Sequence, residues 1–181
     1  LPGDLSLSEM PRESCLPLLW DIVKSGAIRF DPSRNDFPIT MHDSCNVVRL
    51  MGIVQPQREI VKAICAQPLR EMEQHGVNNY CCGGGSGFAI MDTLNFSQWR
   101  NAVSARMKVK QILDTFHDVL DPSIRKYVIA ACSNCKGTLR DAINYYDLWE
   151  QHGIWYGGLA DLMVNAMADL PGPYLAWNEE M

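Results

Sequence analysis

The sequence has no uninterrupted apolar run approaching the ~20 residues that span a bilayer, and no charged-then-apolar leader opens it. The expectation is a soluble segment without direct membrane insertion. It also has no excess of positive charge. Against 16 Lys and Arg stand 21 Asp and Glu, giving a net charge of -5 and a pI near 5.3, and no basic run marks any predicted helix. Those values exclude a nucleic-acid surface. No Lys-Ser/Thr follows the glycine-rich "CCGGGSGF", so this stretch is not a phosphate loop. Apolar residues are not scarce: at 47% hydrophobic and 20% charged, a chain of 181 residues can bury a core, which excludes wholesale disorder. The opening "LPGDLSLSEM" lacks an initiating methionine, and the expectation is a portion of a longer protein.

What is plentiful is cysteine. Seven are present, at 15, 45, 65, 81, 82, 132 and 135. The odd number disfavours complete disulfide pairing, and without an export signal metal or redox use outranks a disulfide framework.

Residues 1–15 read as a connector and residues 171–181 as a tail, leaving one domain over 16–170. Leu18, Leu19, Ile22 and Val23 recur at helical spacing before Gly26. Phe37, Ile39 and Met41 alternate as in a strand that delivers Cys45 at its end. Pro56 opens a helix whose face runs through Ile60, Val61, Ile64, Cys65, Leu69 and Met72 to Gly76, with Pro68 kinking or dividing it. Phe96 to Leu120 predicts a long amphipathic helix with Trp99, Val103, Met107, Ile112, Leu113, Phe116 and Leu120 largely on one side. "KYVIAAC" reads as a buried strand ending at a cysteine, "GTLRDAINYYDLWEQHG" as a helix, and "GGLADLMVNAMADL" as a final helix stopped by Pro171. The fold class is therefore α/β: a mostly parallel sheet flanked by helices, in which a strand, a cysteine and a helix form a pseudo-repeat. In such sheets ligands gather beyond the carboxyl ends of strands, where both strand-end cysteines fall.

Cys132 and Cys135 form a C-x-x-C pair that can reach one metal centre. Adjacent Cys81 and Cys82 point in different directions on a regular backbone, so their joint use requires an irregular one. Gly83, Gly84 and Gly85 permit it, and their N–H groups favour thiolate over thiol. With Cys45, five cysteines converge, one more than a tetrahedral zinc or a standard cubane cluster needs.

"MHDSC", "CCGGGSGF" and "AACSNC", in that order, resemble the CCG family, the cysteine-rich domain of heterodisulfide reductases and their relatives. The likeness covers roughly residues 17–170, and "HDSCNVVRLMGI" and "NNYCCGGGSGF" are most similar to the DsrK branch of that family. The resemblance implies that Cys45, Cys81, Cys82, Cys132 and Cys135 hold a noncubane [4Fe-4S] cluster with Gly83, Gly84 and Gly85 around it. It implies a heterodisulfide-reductase-like oxidoreductase acting on a small sulfur-carrier protein of the DsrC type. Electrons are then expected from haem and iron-sulfur subunits of a membrane complex, at the cytoplasmic face of the inner membrane. Two alternatives stay open: an electron-relay iron-sulfur subunit of glycolate, lactate or glycerol-3-phosphate oxidation, and a non-catalytic zinc module.

His42 matches the family's His-Asp start and is the candidate catalytic residue, as proton donor, against a purely structural histidine. Asp43 reads as structural. Ser44 and Ser133 replace the family's usual prolines and offer hydroxyls near cluster sulfurs. Cys15 and Cys65 are expected to be incidental or buried thiols. His75 is expected at helix-end carbonyls and His117 in solvent, Arg49 on the surface, and Trp149, Trp155 and Tyr156 mainly in the core.

Overall fold

In the computed structural model the described residues are 14–85, 96–172, 174, 175 and 177. The first 13 residues of the expected connector, residues 86–95 and most of the tail lie outside them. Two strands, β1 (Ile39–His42) and β3 (Lys126–Ala130), lie side by side with every residue buried. Burial on both faces explains the near-continuous apolar reading of "KYVIA", which is typical of parallel strands covered by helices. β2 (Leu69–Arg70) pairs with the other edge of β1, and β4 (Ile154–Gly157) with β3. All pairings are parallel and the order is β2-β1-β3-β4, so the expected parallel α/β sheet is present.

Helix α1 (Cys15–Ser25) starts where the Ser14 hydroxyl accepts the Leu16 N–H at 3.2 Å, and it stops at Gly26 in the left-handed region. Helix α2 (Gln55–Ile64) carries Pro56 in its first turn and buries Ile60, Val61 and Ile64. It is shorter than its apolar pattern predicts. Cys65 is already extended, and the chain forms the edge strand β2, tied by the Thr40 hydroxyl donating to the Arg70 carbonyl at 2.7 Å. Pro68 accounts for the break, because it lacks a helical N–H and pushes Gln67 away from helix.

The predicted single helix from Phe96 to Leu120 is instead α3 (Phe96–Trp99), a π turn (Arg100–Ser104) and α4 (Arg106–Thr115). Its facing matches the expectation at Ile112 and Phe116, which are fully buried, and differs from it toward the N-terminal end. Trp99, Val103 and Met107 are exposed, whereas Arg100, Asn101, Lys108 and Gln111 are buried. The inward side is polar because it faces the cysteine site and, through Arg100 paired with Asp141, the next helix.

α5 (Ser133–Tyr145) begins immediately after Cys132, so the C-x-x-C pair lies in its first turn rather than ahead of it. Asp147 in the left-handed region separates α5 from α6 (Leu148–His152), and Gly153 ends α6. β4 then holds Trp155, which packs edge-on against Trp149 as a core aromatic; this strand lies hidden in the sequence between two glycines. α7 (Leu159–Ala166) closes the domain. Helix α2 packs on both α1 and α7, and α4 packs on α5. The right-handed crossover rule assigns the β1–α2–β2 and β3–α5–β4 helices to opposite faces.

Candidate metal centre

The chain leaves β1 toward β2 on one side and leaves β3 toward β4 on the other. The crevice between the ends of β1 and β3 is thus the switch point at which open parallel sheets bind ligands. Register pairs His42 with Ala130, so Cys45 and Cys132, each a few residues further on, emerge from neighbouring strands into that crevice. Both are half-buried, and Cys132 occupies the N-cap position of α5.

Cys82 and Cys135 are buried, and their sulfurs are 3.3 Å apart. Hydrogen bonding with Cys135 pushes the Cys82 thiol up to about 11, against an opposing contribution from Cys81. Cys81 is raised as well, chiefly by its bond with Cys82. Backbone amides aim at these sulfurs: Gly83 N–H donates to Cys81 Sγ at 3.3 Å and Gly84 N–H to Cys82 Sγ at 3.4 Å. The Gly85 amide also favours the Cys81 thiolate. Gly83 has φ +89°, and a Cβ there would lie 2.6 Å from the Ser104 carbonyl carbon, so no other residue fits. Ser104 in turn donates its hydroxyl to the Gly83 carbonyl at 3.2 Å, fastening the loop to the π turn.

His42 reaches the site from the end of β1. A ring nitrogen of His42, Cys82 Sγ and Cys135 Sγ lie within 4.8 Å of one another, all three residues buried. Nδ1 lies 3.3 Å from the Asn79 amide, while Nε2 is buried without a partner among the described residues. Burial first, and Lys108 second, hold the imidazole well below its ordinary pKa and keep it neutral. Lys108 is buried on α4, and burial lowers its ammonium to about 8 despite the nearby sulfurs and Asp43.

Asp43 is structural, as expected. Its carboxylate takes Arg58 at 3.0 and 2.7 Å and the Gly76 N–H at 2.6 Å, joining the end of β1 to α2 and to the 3-10 turn Gly76–Asn78. Arg58 also pairs with Glu71 at 2.6 Å. Arg49, read as a surface residue, anchors the loop ahead of Cys81 by donating to the Val77 carbonyl at 2.8 Å and to the Asn79 carbonyl. Cys65 is buried away from the sulfur group, His75 Nδ1 lies 2.8 Å from the Met72 carbonyl, and His117 Nδ1 lies 2.7 Å from the Asp114 carbonyl. The Ser44 hydroxyl is buried and unpartnered among the described residues.

The tightest group of ligating atoms therefore unites Cys82, Cys135 and His42. Cys81 joins it through its bond to Cys82, and Cys45 and Cys132 stand at the neighbouring strand ends. Asn79, Lys108 and Ser104 were not legible as site residues. Asn79 has a signal, two positions ahead of Cys81; Lys108 has none, being one lysine of an amphipathic helix. The set fits a metal-sulfur group: soft sulfur donors, amides aimed at sulfur, an orphaned buried imidazole nitrogen, and a glycine cradle closed to any side chain.

The chain is 28% identical over 153 residues to Hdr-like menaquinol oxidoreductase iron-sulfur subunit 2 of Archaeoglobus fulgidus, covering 81% of this chain and 24% of that protein. It is 32% identical over 124 residues to one of the subunits of the dihydromethanophenazine:CoB--CoM heterodisulfide reductase of Methanosarcina acetivorans, covering 68% and 27%. It is 39% identical over 75 residues to the "Probable iron-sulfur-binding oxidoreductase FadF" of Bacillus subtilis, covering 41% and 10%. The chain thus spans about a quarter or less of these relatives' lengths. No solved structure matches. The sequence profile of the CCG family, a cysteine-rich domain, matches residues 39–140, the stretch running from β1 through the Cys-Cys-Gly loop into α5. With its cysteine sulfurs gathered at the switch point of a parallel sheet, the chain belongs to the CCG cysteine-rich domain family.

Proposed function

We propose that this domain, residues 16–170, holds a noncubane [4Fe-4S] cluster through Cys45, Cys81, Cys82, Cys132 and Cys135, and is the disulfide-cleaving part of a longer heterodisulfide-reductase-like oxidoreductase. The observation that carries the reading is the buried Cys82–Cys135 sulfur pair, 3.3 Å apart, with an unpartnered imidazole nitrogen beside it at the sheet's switch point. Five thiols exceed the needs of structural zinc or a cubane. The similarity to Hdr-like and heterodisulfide reductase subunits supports the same class.

When bound, such a cluster supplies single electrons to a sulfur-sulfur bond. The chain's own groups do the rest. Gly83 and Gly84 amides stabilise thiolates at Cys81 and Cys82, burial excludes water from Cys82 and Cys135, and His42 holds a proton beside them. The substrate is a disulfide or trisulfide on a small sulfur-carrier protein of the DsrC type. Exposed Leu50 and Met51 beyond Cys45, and Val77 and Tyr80 ahead of Cys81, suit a protein carrier. Haem and iron-sulfur subunits of a membrane complex deliver the electrons at the cytoplasmic face.

The likeness to FadF favours a second reading, an electron relay within another oxidoreductase. Anaerobic reconstitution followed by metal analysis and EPR, with and without a trisulfide-bearing carrier, separates the two. The expected result is a brown protein with about four irons per chain whose EPR signal changes with the carrier. Cys82→Ser abolishes that signal and Cys65→Ser preserves it. A signal indifferent to the carrier supports the relay, and a colourless zinc protein rejects both.

A further inference from the structure

Two side chains and a backbone carbonyl behind His42 determine which of its ring nitrogens carries the proton. Lys108 Nζ lies 2.6 Å from Asn79 Oδ1, and an ammonium donates but never accepts, so the amide atom facing it is the oxygen. The amide nitrogen of Asn79 then faces the other way, where it donates to the Asp43 carbonyl. That carbonyl only accepts, which independently requires nitrogen at this position. The same nitrogen lies 3.3 Å from His42 Nδ1. Nδ1 is accordingly an acceptor, and a neutral imidazole accepting at Nδ1 carries its proton on Nε2. Nε2 is the buried atom without a partner, on the ring grouped with Cys82 and Cys135.

We propose that Lys108 and Asn79 are positioning residues that hold His42 as its Nε2–H tautomer, which leaves this buried N–H as the donor on offer to a sulfur-bound centre held at the Cys82/Cys135 pair. The identity of that sulfur centre rests on the proposed function; the tautomer rests on this chain's own atoms. Lys108 is itself fixed, since its remaining contacts go to Gln111 Oε1 at 2.6 Å and Met72 Sδ at 3.5 Å. All three relay residues are buried, at 1% exposure for His42 and Lys108 and 2% for Asn79, so water does not compete for these donors. A hydrogen bond to sulfur stabilises the more negative, reduced state of a metal-sulfur centre and raises its potential.

The tautomer is read by long-range 1H–15N correlation on the full chain labelled with 15N-histidine, with His42 assigned from the resonance lost in His42→Leu. The expected result is protonated Nε2 and bare Nδ1 in the wild type. In Asn79→Asp, whose carboxylate cannot donate, the proton moves to Nδ1; Lys108→Arg keeps the wild-type pattern. A wild-type proton on Nδ1, or the same pattern in Asn79→Asp, overturns the relay. On the reconstituted chain, His42→Leu lowers the midpoint potential, while His42→Gln, whose amide N–H reaches the Nε2 position, restores it. Equal midpoints in wild type and His42→Leu overturn the hydrogen bond to sulfur. If the wild type assembles no cluster, the proposed function fails and the tautomer measurement alone decides the relay.

Discussion

Two residues with no predicted redox role show how local surroundings set chemistry. Cys65 shares the thiol of the proposed ligand cysteines, yet burial pushes it up to about 12. The fold favours its thiol over its thiolate. The stability this contributes is present below the free-thiol value of 9.0 and is lost as pH rises from there toward about 12. Being buried and held as the thiol, Cys65 is expected to stay intact toward iodoacetamide at about pH 8 until the chain is unfolded, while exposed Cys15 is labelled, as peptide mass analysis will read. Gly83 is constrained by geometry instead. Gly83→Ala forces a side chain into the Ser104 carbonyl at a positive φ, and the backbone strain alone is worth about 1–3 kcal/mol. A lowered urea midpoint with loss of metal uptake is expected; an unchanged midpoint would show that the loop is not held against the π turn. The "GGG" run announces freedom of backbone, but which glycine needs it depends on Ser104, twenty-one residues away.

At the scale of elements, the site stands on joints between secondary structures. The Asp43–Arg58 pair links β1 to α2, with side-chain exposures of 0% and 12%. Arg58 keeps Glu71 as a partner when Asp43 is replaced, but its bonds to Asp43 and the Gly76 N–H lose their charged acceptor, so Asp43→Asn is expected to cost about 1–3 kcal/mol in chemical denaturation. Lys110→Ala, which breaks an exposed pair within α4, is expected to change little. Equal effects would deny the buried pair its joining role. The same scale exposes where periodicity misled. Trp99, Val103 and Met107 promised a buried apolar stripe, yet the turn of the helix that faces inward carries Arg100, Lys108 and Gln111. Hydrophobic patterning presumes an apolar interior; that holds at Val109, Ile112 and Phe116, but Arg100, Lys108 and Gln111 are buried beside them and look in the sequence like an ordinary solvated face.

Over the whole molecule, the proposed ligands come from three separated stretches of chain, and none of these stretches lies close to another without the sheet. Metal binding is therefore expected to stabilise the folded chain by mass action. The reconstituted protein should melt at a higher temperature than the metal-free chain, and treatment with an iron chelator under reducing, anaerobic conditions should reverse the gain. Identical melting temperatures would mean that the cysteines do not share one centre. What the sequence alone determined is the chemistry on offer: the Cys-Cys-Gly, the C-x-x-C, the strand-end Cys45 and the parallel α/β class are local patterns, readable because backbone geometry and short spacings impose them. Tertiary structure alone decided the tight union of Cys82 and Cys135 with His42, and the placement of Lys108 behind Asn79. Those contacts span many residues of chain, and only the order of strands and the packing of α4 bring their partners within a few ångströms.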